Sequence, residues 1–275
     1  MFRKSIYKTP AQLRLMLEAG RLTEAALVAV RAAIRPGVTT LELDAIAERV
    51  IREGGGRPNF QLVPGYSHTI CASVNADVVH GIPNDRPLEP GDIVSIDCGA
   101  DVSGWNGDSA FTVVLEDPTR ADVVAERRTL SEVTEASLWA GIARLSRAKS
   151  LNEVGDAVQG SIERRGDYGI LTDYIGHGIG RSMHEAPPVF NYRVAPKGPD
   201  VKPGLAVAIE PMVVAGSPET FVQDDDWTVT TVDGGMASHW EHSVAVHADG
   251  VWVLTAGDGG AAGLASFGVV PTPIP

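Results

Sequence analysis

The order of hydrophobic periodicities narrows the fold of this chain more than any other feature, because a helix-helix-strands succession occurs twice. Within residues 9–34, Leu13, Met16, Ala19, Leu22, Ala26 and Val30 recur at three- or four-residue steps, the spacing of an amphipathic helix. Pro36 and Gly37 end it. Thr39 and Glu42 stand three apart, the pattern of a capping box, and open a second helix that runs to Arg52 before Gly54, Gly55 and Gly56 stop it. Strand-like runs follow over 68–74, 92–99 and 110–115. The pattern then returns, with a helix over 120–146 and another opening at Ser150, where Glu153 completes a second capping-box pattern. Strand-like runs over 205–209, 227–232, 241–246 and 251–254 close the second unit. Two such units predict an α+β domain of two similar halves, with both sets of strands in one mostly antiparallel sheet. Residues 259–275 are rich in Gly, Ala and Pro and carry no period, so they are expected to be a loosely held tail beyond a single catalytic domain over 1–258.

A chain of 275 residues can bury a core without covalent staples, and its two cysteines, Cys71 and Cys98, are too few for a disulfide scaffold. A reducing cytoplasm is the expected compartment. The first residues, MFRKSIYKTP, show no apolar core of signal-peptide length, and no window approaches a membrane span. A net charge of −12 without basic runs argues against nucleic acid as a partner, since phosphate backbones are held by clustered Lys and Arg. Carboxylates that ligate cations would make the real balance milder.

Those carboxylates stand in unusual places. In IVSIDCGADVSGWNGDSAFTVV, Asp97 lies inside an apolar strand, and Asp108 is expected at the start of the next, across a Gly-rich turn. A carboxylate in a strand fit for burial must be paired, hydrogen-bonded or bound to metal. Taken alone, this pair is equally compatible with two structural carboxylates that cap backbone amides. Glu210 repeats the anomaly at the end of GLAVAIEPM, and Glu241 opens the apolar run in HWEHSVAV. Four such acids, two in each half, together suggest a cage for divalent cations. In YIGHGIGRSMHEAPP, glycines around His177 let the backbone turn so that an imidazole points into a cleft, and His184 follows close by. His80 likewise ends an apolar run before Gly81 and Pro83. One nitrogen with four carboxylates suits manganese, iron(II), cobalt or zinc, and two ions fit that charge better than one. Paired ions can share a water and polarise a carbonyl, so the residues by themselves indicate a two-metal hydrolase.

The stretches ICASVNADVVHGIP, SIDCGADVSGWNGDSA, GHGIGRSMHEAPP, AIEPM and WTVTTVDGGMASHWEHSVAV, in this order and at these approximate spacings, resemble the type I methionine aminopeptidases of the pita-bread fold. The resemblance covers about 9–254. It implies that Asp97 holds one metal, that His177 and Glu210 hold the other, and that Asp108 and Glu241 bridge both. It further implies that Glu210 shuttles a proton, that His80 and His184 face the substrate, and that the free amine of a polypeptide N-terminus binds near the metals. With no Cys/His zinc module and no room for a helical insert between His177 and Glu210, the short bacterial form fits best.

Tyr66, Cys71 and Trp227 match positions that line the family's methionine pocket, but Val63 stands where Tyr is usual and Met183 where Phe is common. Loop residues such as Phe60 are expected to repack and restore the cavity, since cores accept volume-conserving exchanges. His68, His239, His242 and His247 match no ligand position and are expected at the surface or beside ligands. Cys98 is expected only to pack. The expected partners are N-termini of nascent chains, with transient ribosome contact unmarked by any basic patch, and the expected state is a monomer. Two other readings stand beside this one: a proline-directed exopeptidase of the same fold, and a binding module that has lost catalysis.

Overall fold

A computed structural model describes residues 5–275 of the chain. Helix α1 spans Pro10–Ala33, with Thr9 as its N-cap: the Thr9 hydroxyl accepts from Gln12 N–H, and the Gln12 side chain accepts from Thr9 N–H at 2.9 Å. Helix α2 spans Thr40–Glu53, and its capping box forms as the spacing predicts, with Glu42 Oε2 accepting from Thr39 N–H at 2.8 Å. Helices α3 (Ala121–Leu145) and α4 (Glu153–Glu163) open the second half. The second capping box forms only in part. Glu153 Oε1 accepts from Ser150 N–H at 2.9 Å, but the Ser150 hydroxyl donates to the Gly198 carbonyl, and Asn152 takes the N-cap position. The loop that bridges Ser150 to Asp200 draws that hydroxyl away from the helix.

The strands of both halves join in one nine-stranded sheet in which every pairing is antiparallel. At its centre, Ile93–Val102 and Trp105–Val114 form a ten-pair hairpin closed by Ser103 and Gly104, both at positive φ. A two-residue loop with both φ angles positive is a type I′ turn, whose twist matches that of its strands. The second strand of the hairpin therefore starts earlier than the apolar run suggests, and Asp108 lies inside it rather than at its start. Beyond it come Glu241–His247, Ala206–Ile209, Gly176–Gly178 and Glu185–Val189, while Ile70–Val74 and Arg57–Pro58 pair with the other edge. The halves meet where Glu241 pairs with Ala110 and His242 with Ser109. Two three-stranded sheets, one holding Met212–Val214 and the other Val229–Thr231, complete the fold.

Helix α1 lies directly on the hairpin: a Cβ at Gly107 would come within 2.8 Å of the Gly20 backbone, so only glycine allows this contact. The main core places Leu43 and Ile51 of α2 and Leu138 and Ile142 of α3 against the sheet, all fully buried. Each such side chain stabilises the fold by about 1.5–3 kcal/mol relative to exposure.

The expectation of a loose tail is corrected. Ala261–Leu264 form a helical turn, Leu264 is fully buried, Thr272 N–H donates to the Val251 carbonyl at 3.0 Å, and His247 Nε2 lies 2.8 Å from the Thr272 carbonyl. The small residues that leave the stretch without a period let it lie flat on aromatic rings, with Gly259 against Trp252 and Gly263 against Trp139. Among the described residues no helix is long and apolar enough to cross a membrane.

Candidate metal centre

Strand register explains how the acidic residues meet. Asp97 and Glu241 both pair with Ala110, one from each side, and directly paired residues in a sheet project to the same face. Asp108 is two residues from Ala110 and shares that face by the period of two. Ile209 pairs with His242, so Glu210, the next residue, comes opposite Glu241 at the strand end. Gly178 pairs with Val207, which brings His177 in from the other flank. Among the described residues three overlapping groups bring possible ligand atoms within 4.8 Å of one another: Asp97, Asp108 and Glu241; His177, Glu210 and Glu241; and Asp108, His177 and His184.

Each of the four carboxylates has an oxygen that is buried and lacks a hydrogen-bond partner: Asp97 Oδ1, Asp108 Oδ1, Glu210 Oε1 and Glu241 Oε1. Buried polar atoms are normally satisfied, and four orphans converging on one point are costly unless cations complete them. Burial pushes the Asp97 carboxyl up to about 7. Burial and then the repulsion of neighbouring acids push Asp108, Glu210 and Glu241 well above the usual carboxylate range. The donor set therefore fits divalent cations. His177 Nδ1 lies 3.0 Å from the Gly178 carbonyl, which selects the tautomer with the proton on Nδ1 and leaves the Nε2 lone pair, 3.4 Å from Glu210 Oε1, facing the cage.

His80 and His184 flank the cage. His80 adopts a left-handed backbone with φ 60°, and its ring meets Tyr174 edge-on at 5.4 Å. The His184 ring meets His177 edge-on at 4.4 Å. Burial, then the proximity of His184, lowers both His80 and His177 to about 4, and burial lowers His184 as well. Both flanking imidazoles are consequently neutral near pH 7, each with one N–H to donate.

The cage opens on a cleft of about 130 Å³ whose apolar half is formed by Phe60, Val63, Tyr66, Cys71, Met183 and Trp227. The structure thus brings together every site residue expected from the sequence. Burial pushes the Cys71 thiol up, so it lines the cleft as a neutral group. Cys98 is wholly buried in the core.

Three residues near the site carried no usable signal in the sequence. Asn191, fully buried, donates from Nδ2 to the Glu210 carbonyl at 3.0 Å and fixes the chain where Pro211 breaks the ladder. Tyr174 supports His80 from a loop. His239 is not at the surface: it is wholly buried, its Nε2 has no partner, and burial, then proximity to His80, lowers it to about 3. His242 stands behind Glu241, with Nδ1 2.8 Å from Thr255 Oγ1, while His68 leans toward Asp44.

Four carboxylates and an imidazole at the mouth of a cleft sized for one side chain, on a sheet built from two similar halves, define a metallopeptidase of the pita-bread fold. The chain belongs to metallopeptidase family M24, whose family model matches residues 14–248. It is 46% identical over 256 residues to methionine aminopeptidase 1 of Mycobacterium tuberculosis (strain CDC 1551 / Oshkosh), an alignment that covers 91% of this chain and 94% of that protein. It is 41% identical over 250 residues to methionine aminopeptidase 1 of Bacillus subtilis (strain 168), covering 91% and 98% respectively. The crystal structure of methionine aminopeptidase from Rickettsia prowazekii superposes with a TM-score of 0.86 at 33% identity, covering 93% of this chain and all of that one.

Proposed function

We propose that this protein removes the initiator methionine from new polypeptides in the cytoplasm, with two divalent cations held by Asp97, Asp108, His177, Glu210 and Glu241. In this reading Asp97 would serve one ion, His177 and Glu210 the other, and Asp108 and Glu241 both. Manganese, iron(II), cobalt and zinc all suit this set of oxygens and one imidazole. When bound, such a pair supplies a water of lowered pKa and polarises a carbonyl, which is the chemistry of peptide hydrolysis.

The protein's own residues do the rest. The apolar half of the cleft takes the methionine side chain, which leaves the substrate's free amine beside the carboxylates and limits the activity to N-termini. Glu210 accepts a proton on its carboxylate and returns it to the departing amine. His80 and His184, both neutral, donate N–H groups to the oxygen of the scissile carbonyl as negative charge develops there.

The observation that carries this reading is the set of four orphaned carboxylate oxygens beside an apolar cleft. Mass spectrometry of Met-Ala-Ser and of its N-acetylated form, each incubated with manganese-loaded protein, tests it. Loss of methionine from the free peptide alone is the expected result. Cleavage of the acetylated peptide contradicts the reading.

A further inference from the structure

The apolar half of the cleft carries a row of aromatic rings, Phe60, Tyr66 and Trp227, beside the smaller or more flexible side chains of Val63, Cys71 and Met183. Phe60 opens the turn Phe60–Leu62, and its carbonyl accepts from Val63 N–H at 2.9 Å. Both residues reach the cleft from this turn, but Val63 brings only a short branched side chain, whereas Phe60 brings a phenyl ring that is 6% exposed. The Phe60 ring meets Tyr66 edge-on at 6.3 Å, and Tyr66 meets Trp227 edge-on at 4.9 Å. The middle ring cannot swing away, because the Tyr66 hydroxyl donates to the Ile70 carbonyl at 2.7 Å. Asn59, immediately before Phe60, is buried and donates to the Gly107 carbonyl, so the turn is also anchored to the central hairpin. Met183, an unbranched side chain that adapts to whatever it faces, also lines the cleft.

Selectivity in an apolar pocket comes from a wall that does not yield, and here only the aromatic row meets that condition. We propose that Phe60 is a specificity-determining residue for the first side chain of the substrate. Its ring is the fixed wall that the turn presents to the cleft beside the short Val63 side chain, so that a long unbranched chain fits and an aromatic one does not. The inference rests on the aminopeptidase reading above and adds to it the residue that sets the pocket's depth.

The test compares kcat/KM for Met-Ala-Ser, Leu-Ala-Ser and Phe-Ala-Ser in the wild type, Phe60→Ala, Phe60→Leu and the double variant Phe60→Ala/Val63→Tyr. All are metal-loaded and checked for folding by circular dichroism and metal content. Phe60→Ala should lower kcat/KM for Met-Ala-Ser by about 10- to 100-fold, mostly through KM, while turnover of Phe-Ala-Ser rises. Phe60→Leu should fall between, and an aromatic ring returned at position 63 should recover the preference for methionine. An unchanged ratio among the three peptides overturns the proposal, whether it comes with full activity or with an equal loss for all three, which would mark a purely structural role. If Phe60→Ala does not fold, the ratio in Phe60→Leu decides. A wild type that releases no methionine overturns the aminopeptidase reading itself, and this inference falls with it.

Discussion

Asp97 and Glu241 flank the same residue, each paired with Ala110 from opposite sides, although 144 positions separate the strands' sequences at the point where His239 N–H meets Ser95 Oγ nearby. One carboxylate comes from each half of the chain. The seam between the halves is therefore also the floor of the cage, and neither half could assemble it alone.

Removing either acid should empty the site. Asp97→Ala and Glu241→Ala are each expected to lose bound metal and to lower turnover by at least about 10³-fold, because the cage has only five ligands for two ions and the chemistry needs both ions. Metal content after desalting, measured beside turnover, checks this. Retained turnover in Glu241→Ala would break the two-metal account.

His184→Ala should separate chemistry from metal binding. The ring stands 4.4 Å from His177, and its nitrogen lies close enough to Asp108 and His177 to be a ligand by distance alone. Its proposed role is instead to donate to the reacting carbonyl, so the variant should keep both ions and lose about 10²- to 10³-fold in kcat. Loss of a metal ion in this variant would move His184 into the cage.

The stability of metal-free protein should fall as pH rises from about 4 to about 7. Burial raises the folded Asp97 carboxyl from 3.8 to about 7, so in that window the folded state keeps a proton that the unfolded chain has released. The slope from one such proton is at most about 1.4 kcal/mol per pH unit. Bound cations displace the proton, so the stabilisation gained on adding manganese should grow over the same window. Thermal melts of chelator-treated and manganese-loaded protein across these pH values measure both trends. A manganese gain that shrinks with rising pH would contradict the cage.

Leu264→Ala should destabilise the protein by about 2–4 kcal/mol through the cavity it leaves. Urea denaturation of this variant checks whether the packed end of the chain carries its share of the core. A change near zero would return residues 259–275 to a loose tail.

What was legible in the sequence depended on how local its cause is. The Thr39–Glu42 box forms from neighbours alone, whereas the same spacing at Ser150 and Glu153 is half undone by a carbonyl 48 residues away. The acids of the cage could be read because a carboxylate in an apolar strand needs a reason, wherever its partners lie. His239 could not, because nothing in its own segment indicates that it is buried near His80. The closing residues misled for a similar reason: glycines that signal looseness in isolation signal close approach beside Trp139 and Trp252.

The central claim is metal-dependent release of N-terminal methionine. Its most direct test is hydrolysis of Met-Gly, Met-Ala, Leu-Gly and Ala-Pro peptides by metal-free protein, with manganese, iron(II), cobalt or zinc added back in turn. The account predicts no turnover without metal and, with metal, release of methionine alone. Cleavage of Ala-Pro in preference to the methionyl peptides, or silence under every metal, would contradict it.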